Sequence, residues 1–245
     1  MLEIILAIIQ SATEFLPVSS SGHLALFSNL FSQPDLFFFT TLHLASVFAV
    51  IIFVRKEIAQ LLTFNPDARK LLAYLVVATI PAALIGFLFK GIIEKTFYSL
   101  FAIGIAFVFT GIVVYLTKFT DGSRGLDIKK AILIGLAQSI ALFGGVSRSG
   151  MTISTALFLG VEKEKAMKFS FLLFIPLSLG AFILEVKDGF YLSANLVLSF
   201  FVCLLASLLF LKILTFVVKR DKFWVFSIYC FVIGFISMGL YFFKK

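Results

Sequence analysis

The sequence predicts an all-α polytopic membrane protein built as an inverted repeat, each half being one re-entrant helical hairpin plus three transmembrane helices. Three observations predict it. First, the 245 residues are 61 % hydrophobic, with a mean hydropathy of +1.10, whereas soluble domains contain about 45–50 % apolar residues. Second, several apolar runs reach the ~20 residues that cross a bilayer, and none shows the ~10-residue alternation of a membrane β-barrel. Third, the segment Gln10–His23 returns 128 positions later as Gln138–Met151, without a gap. Gln, Ser, Phe, Val, Ser, Ser and Gly recur at matching places. Where the copies differ, Glu14 faces Leu142, Ser20 faces Arg148 and His23 faces Met151.

Along the chain, the first element is an apolar region at 2–32, broken at 16–23 by a Pro- and Gly-containing polar stretch. Three candidate spans follow, at 37–54, 71–89 and 98–117. The second broken region covers 127–160, interrupted at 144–152, and is followed by candidate spans at 168–186, 192–217 and 223–243. Each broken region reads as two half-length helices that enter and leave by one face. Non-helical backbone at membrane depth is tolerated only inside protein or beside a water-filled cavity, so each break marks a candidate site. The whole chain, 1–245, is one integral membrane domain, with halves at approximately 1–117 and 127–245. Three crossings per half put the halves in opposite orientations, and such repeats place their site near the midplane.

The net charge of +8 does not mark a nucleic-acid binder, because Lys and Arg fall in short groups between apolar runs. Fourteen of them fall on the face reached after the first span: Arg55, Lys56, Arg69, Lys70, Lys118, Arg124, Lys129, Lys130, Lys163, Lys165, Lys168, Lys219, Arg220 and Lys222. Five (Lys90, Lys95, Lys187, Lys244 and Lys245) fall on the other. The excess predicts that the first face is cytoplasmic. Both termini and the first hairpin are then expected outside, in a bacterial inner membrane. Residues 1–54 lack Lys and Arg, so no basic region of a cleavable signal is present there. Cys203 and Cys230 lie in apolar runs and do not suggest a disulfide framework.

Arg148 is the one cation that cannot be moved to an interface. An arginine at mid-bilayer costs at least ~2.5–3.5 kcal/mol and needs an anionic partner. Its planar fork suits phosphate oxygens. Ser147, Ser149 and Thr152 add hydroxyl donors, and the helix that follows offers unpaired N–H groups to an anion. The plainer alternative is an arginine that only pairs with Glu14. An intramembrane carboxylate such as Glu14 is a functional candidate by default, able to bind metal, accept a proton or orient His23. His23 is a candidate general acid or base. Among Ser19, Ser20 and Ser21, Ser20 takes the place of Arg148 in the repeat and is the preferred nucleophile, with Ser19 a substrate-binding candidate. Gln10 lies one turn before Glu14 and shares its face. His43 has no motif around it and is left out of the site.

These residues resemble the undecaprenyl-diphosphate phosphatase family linked to bacitracin resistance. Its first motif reads here Gln10…Glu14-Phe-Leu-Pro-Val-Ser-Ser-Ser-Gly-His23, and its second reads Gly144-Gly-Val-Ser-Arg-Ser-Gly-Met-Thr152. Two positions depart from the family pattern: Gln10 stands where a Glu is common, and Gly144 where the second motif has proline. The resemblance implies hydrolysis of undecaprenyl diphosphate to undecaprenyl phosphate and inorganic phosphate. It also implies dependence on a divalent metal ion (magnesium or calcium), with Glu14 as the candidate ligand. The catalytic set expected from it is Glu14, Ser20, His23 and Arg148, with Gln10, Ser19, Ser147, Ser149 and Thr152 binding substrate. The architecture alone also fits a secondary transporter or flippase of an anionic lipid.

Overall fold

A computed structural model describes residues 2–30, 36–185 and 193–243. The first broken region forms α1 (Leu2–Phe15) and α2 (Ser20–Leu30). Next come α3 (Leu36–Phe53), a short α4 (Arg55–Leu61), α5 (Pro66–Leu88), a short α6 (Lys90–Thr96) and α7 (Leu100–Leu116). The second broken region forms α8 (Ile128–Ile140) and α9 (Arg148–Phe158), followed by α10 (Lys163–Glu185), α11 (Ala194–Lys219) and α12 (Phe226–Phe243). Five helical segments are long and apolar enough to cross a membrane, and α3 bends by 75° into α4 to make a sixth candidate. The expectations above that fall on residues 31–32, 186, Lys187, 192, Lys244 and Lys245 lie outside the described residues.

Local chemistry sets the helix starts. The side chains of Asn65, Ser99, Asp127 and Ser193 each accept a backbone N–H from three residues on, closing the first turns of α5, α7, α8 and α11. Pro66 follows its cap at the first helical position, where its missing N–H costs nothing. Pro81 and Pro176 sit inside α5 and α10. The sequence reading did not anticipate α4 and α6. Each is only 7 residues long, too short for a periodic apolar signal.

The first arm of each hairpin packs on the second long span of the other half: α1 lies on α11, and α8 on α5. The third spans, α7 and α12, form the most extensive pair. Two glycines permit that approach: a Cβ on Gly104 would lie 2.8 Å from Gly234 O, and one on Gly234 would lie 2.9 Å from Gly104 O. Phe, Leu and Ile side chains such as Leu84, Phe87, Leu205 and Phe235 remain exposed on the outer surface, as lipid-facing helices require.

Polar contacts gather the inter-helix segments of one face. Lys168 bridges Glu57 and Glu164, Lys219 reaches Glu164, and Lys163 pairs with Asp221. Arg124, just before α8, pairs its backbone with the segment after α9: Arg124 N donates to Gly160 O at 2.8 Å, and Glu162 N donates to Arg124 O at 3.1 Å. The second hairpin therefore enters and leaves by the same face.

Gly104→Val places branched carbons against the α12 backbone. It should lower stability by about 1–3 kcal/mol, the usual cost of overpacking, read as a lower melting temperature in detergent. An unchanged melting temperature would show that α7 and α12 can separate freely.

Candidate active site

The two hairpin tips meet. A Cβ on Gly22 would lie 2.9 Å from Gly145 Cα, and Ser149 Oγ donates to Leu16 O across the junction at 3.2 Å. Gly145 has φ +94, and any side chain there would press on Ala106 and on Ile103 O, so glycine is required on both counts. The N–H of Gly144 donates to Thr96 Oγ1 of α6 at 2.9 Å. A proline at that position has no N–H to give, so the departure from the motif carries its own contact.

The second helices of the two hairpins start alike. Gly22 N donates to Ser19 Oγ and Gly150 N to Ser147 Oγ, both at 3.2 Å. Ser19 pairs with Ser21, and Ser147 with Ser149, also at 3.2 Å in both cases. The backbone differs: Ser19 has φ +63, whereas Ser147 is extended. A non-glycine residue in the left-handed region carries strain of ~1–3 kcal/mol, which clusters at functional sites.

Between the hairpins lies a chamber of about 290 Å³. The first half lines it with Thr13, Glu14, Ser19, Ser20, Ser21, Thr40 and His43, and the second with Gln138, Leu142, Val146, Ser147 and Arg148. Glu14 is its hub. One carboxylate oxygen accepts from Arg148 Nη2 at 3.0 Å. The other accepts from Ser20 Oγ at 2.6 Å and Gln10 Nε2 at 3.0 Å. Both charged side chains are close to fully buried. Arg148 also lies over the Phe174 ring, 4.1 Å from its centroid, which holds the fork flat at the chamber wall.

The structure thus brings Glu14, Ser19, Ser20, Ser147 and Arg148 to one chamber. Gln10 reaches it only through Glu14 and His43. Ser149 and Thr152 do not line it. Ser149 ties the two hairpins together, and Thr152 Oγ1 donates to Arg148 O at 2.9 Å and meets Ser170 Oγ at 2.6 Å. The expected contact between Glu14 and His23 is not made. His23 Nδ1 lies 2.8 Å from Ser19 O, which can only accept, so that nitrogen carries the hydrogen. Its Nε2 then accepts from Tyr229 O–H at 2.6 Å, and its ring stacks on Tyr229 and meets the edge of Phe107. Both nitrogens are committed away from the chamber.

His43, omitted by the sequence reading, takes the place expected of His23. Its Nδ1 lies 3.0 Å from Phe39 O and carries the hydrogen. Its Nε2 faces Gln10 Nε2 at 3.2 Å and the Ser20-bonded oxygen of Glu14 at 3.3 Å. A neutral ring accepts from the amide, and a protonated ring donates to the carboxylate. The one available signal was that α3 has His43 close to Thr40 and Thr41 in a span whose only other polar residue is Ser46.

In this arrangement Glu14 alone does not offer a free site for a divalent ion. Both oxygens already have donors, one of them a guanidinium. Gln10 turns an N–H to Glu14 where the family motif commonly has a second carboxylate, while its Oε1 is buried without a hydrogen-bond partner. Among the described residues no group of three His, Cys, Asp or Glu side chains could enclose an ion.

A buried guanidinium, a helix start and hydroxyls around an interior chamber are features that suit a phosphate-like anion within the bilayer. Sequence comparisons identify the family. Residues 3–236 match the family model described as bacitracin resistance protein BacA, and the chain belongs to that family. A relative from Thermosipho africanus named undecaprenyl-diphosphatase is 42 % identical over 96 % of this chain and 97 % of its own. Relatives of the same name from Methanococcus maripaludis and Korarchaeum cryptofilum are 39 % and 34 % identical, each aligned over at least 95 % of both chains.

Thr152→Val removes a buried hydroxyl from Arg148 O and Ser170. It should cost about 1–3 kcal/mol of stability and leave substrate affinity unchanged. Weakened affinity at unchanged stability would put that hydroxyl on the ligand.

Proposed function

We propose that this protein is an integral-membrane phosphatase that hydrolyses undecaprenyl diphosphate to undecaprenyl phosphate and inorganic phosphate. Through this activity it recycles the lipid carrier for cell-wall synthesis and confers bacitracin resistance. The observation that carries the chemistry is the Ser20–Glu14–Arg148 chain of contacts at the chamber, at 2.6 and 3.0 Å.

Arg148 and the N–H groups at the start of α9 hold the terminal phosphate. Charge neutralisation and positioning dominate phosphoryl transfer. Ser20 attacks the terminal phosphorus while its proton passes to Glu14. The bond to the bridging oxygen breaks, and that oxygen leaves on undecaprenyl phosphate. Water then cleaves the phosphoserine ester and releases inorganic phosphate, with Glu14 and His43 carrying the protons. His43 Nε2 is placed for this, since it faces the oxygen of Glu14 that accepts from Ser20. His23 holds α2 in place through Tyr229. A divalent cation, magnesium or calcium, belongs to this scheme only as the counter-ion of the diphosphate.

The excess of Lys and Arg on the face that carries α4 and the Arg124 segment supports a cytoplasmic assignment for that face. The exchange of partners between α1–α11 and α8–α5 supports an inverted relation of the halves. On this reading the membrane is the inner membrane and the termini are external.

Phosphate release by purified protein in detergent tests the reading, because no transport is possible there. Wild-type protein should release phosphate from undecaprenyl diphosphate. Ser20→Ala should lower kcat by at least ~10²-fold, the scale of losing a general-acid–base or nucleophilic group. His43→Gln should lower kcat with little change in KM, while His23→Gln should lower the melting temperature more than kcat. No phosphate release by wild type points instead to a transporter, and unimpaired turnover in His43→Gln removes that imidazole from the reaction.

A further inference from the structure

Gln138 is the second-half counterpart of Gln10, and the pair has diverged in one informative way. Gln10 donates to Glu14 one helical turn on. Gln138 has Leu142 at the matching place, so the repeat has kept the amide and lost its partner. In the structure Gln138 is fully buried at the end of α8, and neither its Oε1 nor its Nε2 has a hydrogen-bond partner. It nevertheless lines the same chamber as Arg148 and Ser147. A buried amide with no partner is costly, and a leucine of similar size would avoid the penalty.

We propose that Gln138 is a phosphate-binding residue of the chamber, its N–H groups donating to an oxygen of the diphosphate in the substrate and of the released inorganic phosphate. This deepens, and rests on, the hydrolase reading above. The second-half wall suits an anion: Arg148 supplies the charge, Ser147 caps the helix start, and Leu142 removes the carboxylate that the first half carries. A neutral amide adds donors there without a charge that would trap the product. The bland alternative, an amide that packs between helices, leaves its lack of any partner unexplained.

The test compares wild type, Gln138→Leu and Gln138→Glu. Expected for Gln138→Leu is a KM raised about tenfold, the size of one hydrogen bond to a charged group. Product inhibition by inorganic phosphate should weaken by a similar factor, and the melting temperature should hold or rise. Added inorganic phosphate should raise the melting temperature of wild type but not of Gln138→Glu, whose carboxylate repels it. The proposal is overturned by Gln138→Leu with unchanged KM and phosphate inhibition, including the case where stability and kcat alone fall. Should Gln138→Leu not fold, phosphate stabilisation of Gln138→Glu equal to wild type overturns it. If wild type proves inactive, the hydrolase reading fails, and the phosphate-dependent melting shift still decides Gln138.

Discussion

A carboxylate on one hairpin and a guanidinium on the other, both nearly sealed from solvent, constrain the rest of the molecule. Neither charge is tolerable alone in a bilayer interior. Together they neutralise each other at 3.0 Å, which forces the tips of α1–α2 and α8–α9 to one place. The remaining architecture serves that meeting. Gly22 and Gly145 let the backbones approach, Ser149 ties the tips together, and α5 and α11 each brace the first arm of the opposite hairpin. On the proposed reading, a dianionic phosphate would compete for the guanidinium and free the carboxylate to accept a proton.

The repeat explains how one scaffold supplies two kinds of chemistry. The serine caps of α2 and α9 have matching contacts in both halves, because both need a helix start at the chamber. The residue just after the cap differs: Ser20 on one side can attack, and Arg148 on the other can bind. One turn before the break, Glu14 puts a carboxylate on one wall of the chamber, and Leu142 leaves the matching place on the other wall without one. Duplicated geometry with divergent side chains thus gives the chamber two chemically different walls.

Much of this was legible in the chain. Apolar run length set the spans, and polar breaks at 16–23 and 144–152 set the hairpins, because the bilayer permits few alternatives. The duplicated motif pointed to Glu14, Ser20 and Arg148, which the structure brings together. What failed was the direction of side chains on short helices. His23 is in the motif but turns toward Tyr229, and Thr152 turns toward Ser170. His43 carries no motif and enters the site only because α3 packs beside α1. That contact comes from tertiary packing, which residue spacing does not encode. The contact of Gln10 was also hidden: it stands where a Glu is common, and its N–H donates to Glu14.

The most direct measurement is a double-mutant comparison of Glu14→Gln and Arg148→Met by melting temperature in detergent. Each single change leaves an opposite charge buried alone, which is strongly destabilising. Removing both charges should therefore restore much of the loss, so that the double variant melts above Arg148→Met alone. A double variant that melts lower than either single one, by the sum of their separate losses, would mean that the two groups do not depend on each other.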